Sequence, residues 1–359
     1  MFQLKDFCKK ESSNIAQKDL ENITGIYPIY GASGLIKHVD FYAQEKPYIA
    51  VVKDGAGVGR VMKLPAFSSV IGTLQYIIPN DDINVDYLAY AMEHMNLSKY
   101  YMGAAIPHIY FKDYCNEKIP LHTAKEQQEI ADTLDKVCDL IHYRKEQISK
   151  LDELVKARFV EMFGGISDSK IYPYKAVKEL TDVISGGTPN RDVNEYWEDG
   201  TIPWVKSTEL QNNVITDIDE YITKEGLDNS SAKLVPEGTI LIAMYGQGKT
   251  RGMTGYLGVE ACTNQACACI LPSDSINQKF LWQYFVLSYD NLRDMAKGGN
   301  QPNLNGNIIK NYPVLYPPME LQKQFATFVE QTDKSKFEVQ QSLEKLETLK
   351  KSLMQQYFG

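Results

Sequence analysis

Few residues in this chain could do chemistry, and most of them sit in glycine-rich loops. Ala243-Met-Tyr-Gly-Gln-Gly-Lys249-Thr250 has the outline of a phosphate-binding loop. Such a loop wraps phosphate in backbone N–H groups and needs a strand before it and a helix N-terminus after it. Here Ala243 stands where the first glycine belongs, and the glycine-rich run Arg251-Gly-Met-Thr-Gly-Tyr-Leu-Gly258 follows. Nucleotide binding is therefore not expected. Tyr316-Pro-Pro-Met319 has no Asn or Asp ahead of its prolines to hold an adenine amine, so it does not make a methyltransferase motif. No carboxylate cluster followed by lysine stands out as a nuclease metal site. The five histidines form neither a triad nor a ligand set. Cys262, Cys267 and Cys269 cluster without zinc-site spacing. Cys267 and Cys269 alternate in an apolar run and read as two buried thiols on one face of a strand. The chain is expected to carry no catalytic residue, no metal and no cofactor.

These loops must be positioned by ordinary globular domains. The chain has 359 residues, 43% hydrophobic and 23% charged, enough for two cores. It has no run of about 18 apolar residues, and its polar start lacks the apolar core of a signal segment. A cytoplasmic protein with no membrane partner is expected. The net charge of −8 counts against a nucleic-acid binder. Binding needs only a local basic face, however, and acidic helices elsewhere can dominate the total.

Comparing the chain with itself is the most informative step. Residues 127–164 and 322–359 align without a gap at an offset of 195, Gln127 matching Gln322, Ala131 matching Ala326 and Leu151 matching Leu346. Both segments carry helical periodicity. Ile130, Leu134, Val137, Ile141, Ile148, Leu151, Val155 and Met162 form the first seam; Phe325, Val329, Thr332, Lys336, Val339, Leu343, Leu346, Lys350, Leu353 and Tyr357 form the second. Thr123 and Glu126 make a capping box, Pro317-Pro318 opens the second helix, and Gly164-Gly165 ends the first. Upstream, Ile83-Asn84 matches Ile276-Asn277, Thr73-Leu-Gln75 matches Thr263-Asn-Gln265, and Pro107 matches Pro302. Each half also has a strand running into a glycine loop, over 48–61 and 239–257. The chain is thus a tandem duplication of a mostly β domain followed by one long helix. An exposed amphipathic helix needs a partner, and antiparallel pairing of the two helices is the simplest solution. Two similar domains held apart by a helical rod suit two sites on one duplex.

The order of motifs then resembles a known family. Gly186-Gly187-Thr188-Pro189, Tyr196-Trp197 and Gly200-Thr-Ile-Pro-Trp204-Val205 resemble the opening of a target-recognition domain of type I restriction–modification specificity subunits. Tyr27-Pro-Ile-Tyr-Gly-Ala-Ser-Gly34 and Asp54-Gly-Ala-Gly-Val-Gly59 resemble another variant of that domain, and the two helical segments look like the family's spacers. The resemblance covers essentially the whole chain. It implies an α+β fold: two mostly β target-recognition domains in pseudo-two-fold tandem repeat, separated by two long antiparallel helices forming a coiled-coil spacer. The expected limits are 1–118 and 166–316 for the domains, and 119–165 and 317–359 for the helices. The first domain lacks the Gly-Gly-Thr-Pro opening, so two unlike half-sites are expected. The resemblance also implies double-stranded DNA, one methyltransferase subunit per unit, and restriction/translocase subunits as partners. S-adenosylmethionine and ATP would bind those subunits and not this chain. A non-catalytic adaptor, or an acidic protein that mimics DNA, is the alternative.

For such a reader, base contacts need paired donors and acceptors, and phosphate contacts need cations and free amides. In the first half the candidates are Lys53, Gly55, Gly57, Arg60, Lys63, Thr73, Gln75 and His108. In the second they are Lys206, Ser207, Thr208, Tyr245, Gln247, Lys249, Thr250, Arg251, Asn264, Gln265, Asn300, Gln301 and Asn303. Trp197 and Trp204 are read as core anchors rather than base stackers.

Overall fold

The computed structural model describes residues 2–103, 107–246, 248–296 and 303–359. The chain divides into two compact units, 1–147 with 339–359, and 148–338. Each unit therefore takes a β domain plus a portion of each long helix, where the repeat suggested four consecutive blocks.

In the first unit, β1 (Cys8–Ser12), β2 (Tyr27–Gly31), β3 (Gly34–Val39), β4 (Tyr48–Val52), β5 (Val61–Leu64), β6 (Ser69–Val70) and β7 (Leu74–Pro79) form two sheets. One has the order β1-β7-β4-β5 and is antiparallel throughout; the other has the order β3-β2-β6, with β2 and β6 parallel. β4 is apolar at every position because both its faces are covered. Tyr48, Ala50 and Val52 point to the cluster between the sheets, while Ile49 and Val51 point to the cluster under the helices. That second cluster joins Leu88 and Met92 of the short helix Val85–His94 to Ile130, Leu134, Met354 and Phe358 of the long helices.

The second unit repeats the plan with β8 (Val183–Ser185), β9 (Ile202–Val205), β10 (Asn213–Ile215), β11 (Tyr221–Ile222), β12 (Ile240–Ala243), β13 (Thr254–Leu257), β14 (Cys262–Thr263) and β15 (Cys267–Ile270). Its sheets have the orders β8-β15-β12-β13-β10 and β11-β9-β14. The addition is β10, which lies parallel to β13. β9 and β14 are parallel, as β2 and β6 are. Cys267 and Cys269 are buried on one face of β15, as their spacing suggested, and burial pushes both thiols up, Cys269 to about 11.

The long helices run Ala124–Phe163 and Met319–Phe358. The capping box forms: Thr123 N donates to Glu126 Oε2 at 2.7 Å, and Glu126 N donates to Thr123 Oγ1 at 3.3 Å. Gly164, at φ 81°, donates its N–H to Val160 O and ends the first helix. In the first unit Arg144 Nε donates to Ser342 Oγ at 3.2 Å and Lys145 pairs with Glu347 at 2.9 Å. In the second, Lys336 pairs with Asp152 at 2.6 Å, and Phe159 and Phe163 pack on Phe325. In the second unit the contacts advance along the first helix as they recede along the second, from Asp152 with Lys336 to Phe159 and Phe163 with Phe325. The seam is offset at the helix ends. Phe163, Met354 and Phe358 are buried there, one residue away from Met162, Leu353 and Tyr357, and Phe159 is buried with them. At its ends each helix also covers a domain core, so the buried stripe turns toward the sheet.

The joint between domain and helix is the same in both units. Gln127 is 2% exposed; its side chain accepts from Asn84 N at 2.9 Å and donates to His122 O at 3.0 Å. Gln322 is 1% exposed, accepts from Asn277 N at 2.8 Å and donates to Pro317 O at 2.8 Å. Asn84 and Asn277 in turn cap the short helices Val85–His94 and Gln278–Leu287 with their side chains. Each amide thus satisfies two main-chain groups that the helix starts would leave orphaned.

Candidate nucleic-acid interface

In the first unit the loop from β4 to β5, residues 53–60, carries three glycines at positive φ: Gly55, Gly57 and Gly59. Main-chain bonds hold it. Lys53 and Asp54 N–H donate to Thr73 O, Gly55 N–H donates to Pro107 O, and Ile109 N–H donates to Lys53 O. A side chain at Gly59 would come within 2.5 Å of Ser98 N, so only glycine fits that approach. Arg60 reaches Ala32 O at 2.8 Å, and Lys53 lies 3.6 Å from Asp54. Lys53, Gly55, Gly57, Arg60, Thr73 and His108 are thereby brought together, although Thr73 contributes main chain. Its Oγ1 is buried and, among the described residues, unpartnered. The His108 ring lies 5.0 Å from that of Tyr110.

Two candidates do not join this group. Gln75 is 2% exposed and hydrogen-bonds the Tyr114 hydroxyl. Both faces of β7 are covered at that point, so Gln75 cannot reach a duplex. Lys63 lies on β5 and pairs with Asp86 of the short helix, with Asp135 and Asp139 of the long helix nearby, which puts it on the helical side.

In the second unit the equivalent loop joins β12 to β13. It leads into a strand rather than a helix, so the resemblance to a phosphate-binding loop ends there. Tyr245 and Lys249 are exposed, and Thr250 and Arg251 are partly buried. Met244 N–H donates to Ala266 O, and Leu304 N–H donates to Met244 O. The loop is thus tied beside Asn264-Gln265 and beside Asn303. Gln247, Asn300 and Gln301 lie outside the described residues.

β9 and β14 run parallel and deliver Lys206 and Asn264 to neighbouring ends, where Asn264 N–H donates to Val205 O. Lys206 is engaged. Its Nζ lies 2.7 Å from Glu220 Oε1, and Arg191 lies 2.7 Å from Glu220 Oε2. Burial alone would raise the Glu220 carboxyl, but Lys206 and Arg191 outweigh it and hold it below the usual range. Arg191 stacks 3.7 Å over Trp197 and 4.7 Å over Trp204. Gln265 is exposed and hydrogen-bonds Thr188. Thr208 is exposed, whereas Ser207 is 8% exposed and tucked beneath it. Asn264 Oδ1 accepts from Ala266 N at 3.2 Å, so that oxygen builds its own turn.

Sequence reasoning did not single out Arg191 and Glu220. Glu220 stands 14 residues from Lys206 and 29 from Arg191, too far for any local pattern to link them. The Gly-Gly-Thr-Pro opening has a packing role. A side chain at Gly186 would lie 2.3 Å from Thr263 O, and one at Gly187 would lie 2.3 Å from Ser231 C. Gly187 O accepts the Trp204 indole N–H at 3.0 Å, and Trp204 is 2% exposed, which makes it a core anchor.

Known proteins show the same design. The Type I restriction enzyme MjaIX specificity subunit of Methanocaldococcus jannaschii is 29% identical over 191 residues, 50% of this chain and 43% of that protein. The Type I restriction enzyme EcoR124I/EcoR124II specificity subunit of Escherichia coli is 23% identical over 242 residues, 62% of this chain and 57% of that protein. The alignments thus span about half the length of these curated relatives. The fold is that of the type I restriction–modification S subunit from M. genitalium, with a TM-score of 0.65 at 16% identity over 99% of this chain and 95% of that one. The family model for the type I restriction modification DNA specificity domain matches residues 1–153 and 172–350, most of the sequence, and the chain belongs to that family.

Proposed function

We propose that this chain is the DNA-recognition subunit of a type I restriction–modification complex. Each unit reads one half of a two-part duplex sequence, and the unlike loops make the target asymmetric. One observation carries this reading: a glycine loop recurs between corresponding strands of corresponding sheets, with cationic side chains beside it. The two long helices act as an antiparallel coiled-coil spacer that relates the units by an approximate two-fold and sets the number of unspecified base pairs. The opposed contacts within the second unit, Asp152 with Lys336 and Phe159 with Phe325, support the antiparallel pairing. At about 1.5 Å per residue each helix is roughly 60 Å long, enough to separate half-sites by more than one duplex turn.

The chain does no chemistry itself. It gathers methyltransferase subunits, one per unit, and restriction/translocase subunits, which bring S-adenosylmethionine and ATP. The setting is the cytoplasm; among the described residues no helix is long and apolar enough to cross a membrane. The net charge of −8 implies that the chain alone grips DNA weakly and that its partners complete the contact. That same charge favours a second reading, an acidic adaptor that mimics DNA. The test is methylome sequencing of a host that expresses the chain with its methyltransferase partner. Exchanging residues 171–316 for another recognition domain should change one half of the methylated motif. If both halves change, the units are not independent; if no motif is methylated and the complex shows no salt-sensitive duplex preference, the adaptor reading stands instead.

A further inference from the structure

The loop between β12 and β13 has three glycines at positive φ, Gly246 at 140°, Gly248 at 60° and Gly252 at 86°. A backbone so rich in glycine has no single preferred shape. Its shape comes from a residue some 40 positions away. Arg293, in the last turn of the helix Tyr289–Asp294, points its guanidinium into the loop. Nη1 donates to Arg251 O at 2.6 Å and to the Tyr289 hydroxyl at 3.0 Å, and Nη2 donates to Gly248 O at 2.9 Å. The Tyr289 hydroxyl donates to Lys249 O at 2.7 Å. Three carbonyls of one loop therefore face a single Arg–Tyr pair. Because each peptide is planar and trans, the N–H groups of Lys249 and Thr250 point the opposite way. Those amides and the exposed Lys249 side chain are the groups that could meet a phosphate.

We propose that Arg293, with Tyr289, is the positioning residue of the second recognition loop, the mould that fixes the shape in which the loop meets DNA. The proposal rests on the recognition function put forward above. Arg293 spends its donors on loop carbonyls and acts through Lys249 and Thr250 rather than by touching the duplex. A guanidinium is required because its planar fork serves several acceptors at once, which a lysine ammonium on a flexible stem does not. Both loops share main-chain ties at their first residue, Lys53 to Thr73 and Ile109 and Met244 to Ala266 and Leu304; beyond these the first adds Gly55 N–H to Pro107 O, where the second adds the Arg–Tyr pair.

The test uses the full chain with its methyltransferase partner, and the probe is the host genome read by methylome sequencing. The half of the motif read by the second unit is the half that changes when residues 171–316 are exchanged. Arg293→Met and Arg293→Lys should both relax that half, with substituted sites methylated about tenfold more often relative to cognate sites. The other half should keep its fidelity, and the thermal melt should stay close to that of the parent chain. Tyr289→Phe, which keeps the ring and removes one hydroxyl, should relax the same half by about twofold to threefold. Unchanged fidelity in all three variants overturns the proposal while leaving the recognition function standing. Equal loss in both halves, or rescue by lysine, shows a merely structural role and also overturns it. A parent chain that directs no motif at all would count against the recognition function itself.

Discussion

The two glycine loops share main-chain ties at their first residue, Lys53 in one and Met244 in the other, and differ in what holds the rest. The first is gripped by main-chain hydrogen bonds and by a close approach of Gly59 to the Leu97–Ser98 backbone. The second adds to its main-chain ties side chains that reach in from a neighbouring helix. Corresponding sheets therefore do not require corresponding loop supports. A main-chain grip tolerates any side chain on the gripping segment but no side chain at the glycine that approaches it. A side-chain grip leaves the loop surface open but concentrates its order in Arg293 and Tyr289.

Substitution at one glycine in each loop gives the largest contrast. Gly59→Val puts a β-branched residue at φ 86° and its Cβ within 2.5 Å of Ser98 N. It should destabilise the first unit by about 3 kcal/mol, at the upper end for single substitutions. Gly248→Ala, at φ 60° with nothing within 4 Å of the new Cβ, should cost only about 1 kcal/mol. Denaturant melts of the two variants measure the difference; equal costs would mean that the two loops are held alike after all.

Where the units are alike, the glutamine joints should respond alike. Gln127→Leu and Gln322→Leu each leave a part-buried main-chain N–H and a carbonyl unpaired, at a cost of about 2 kcal/mol. Denaturation followed in each variant should show equal losses, and a twofold disparity would break the equivalence of the joints.

The smallest effect concerns charge. Glu220→Gln frees Lys206 and Arg191 from their shared carboxylate and adds one positive charge beside the second loop. Binding of non-specific duplex should rise a few-fold and depend more steeply on salt, measured by fluorescence anisotropy across a salt series. Because the folded Glu220 carboxyl lies below its ordinary value of 4.5, the ion pairs stabilise the protein fully above that pH. The contribution fades as the pH falls from there through the folded value. The Glu220→Gln variant should lack this acid-side loss.

How much of this was legible beforehand follows from the range of each interaction. The capping box at Thr123 and the helix stop at Gly164 are local patterns, the duplication is visible when the sequence is set against itself, and the fold carries each of them. The helical seam follows the burial along its middle and lies one residue from the buried Phe163, Met354 and Phe358 at the ends, since period alone cannot say that a domain core also claims those side chains. Among the candidate contacts, Gln75 has the residue type for reading a base, but both faces of β7 are covered there and it lies in the core. Lys63 was chosen for its closeness in sequence to the loop, but strand β5 carries it to Asp86. Arg293 and Glu220 were invisible because their partners are set by tertiary contacts across tens of residues.

The glutamine joint has a consequence at the level of the gene. Among the described residues the Gln127 and Gln322 side chains bond backbone atoms, one N–H from the Asn that caps a short helix and one carbonyl two residues ahead of a long helix. An incoming domain does not have to match a particular side chain to seat on such a socket; it needs a helix start in the right place. Crossover within the repeated helical coding segments could therefore deliver a new reading head onto an old frame in a single event, with the seam between foreign and resident protein already hydrogen-bonded.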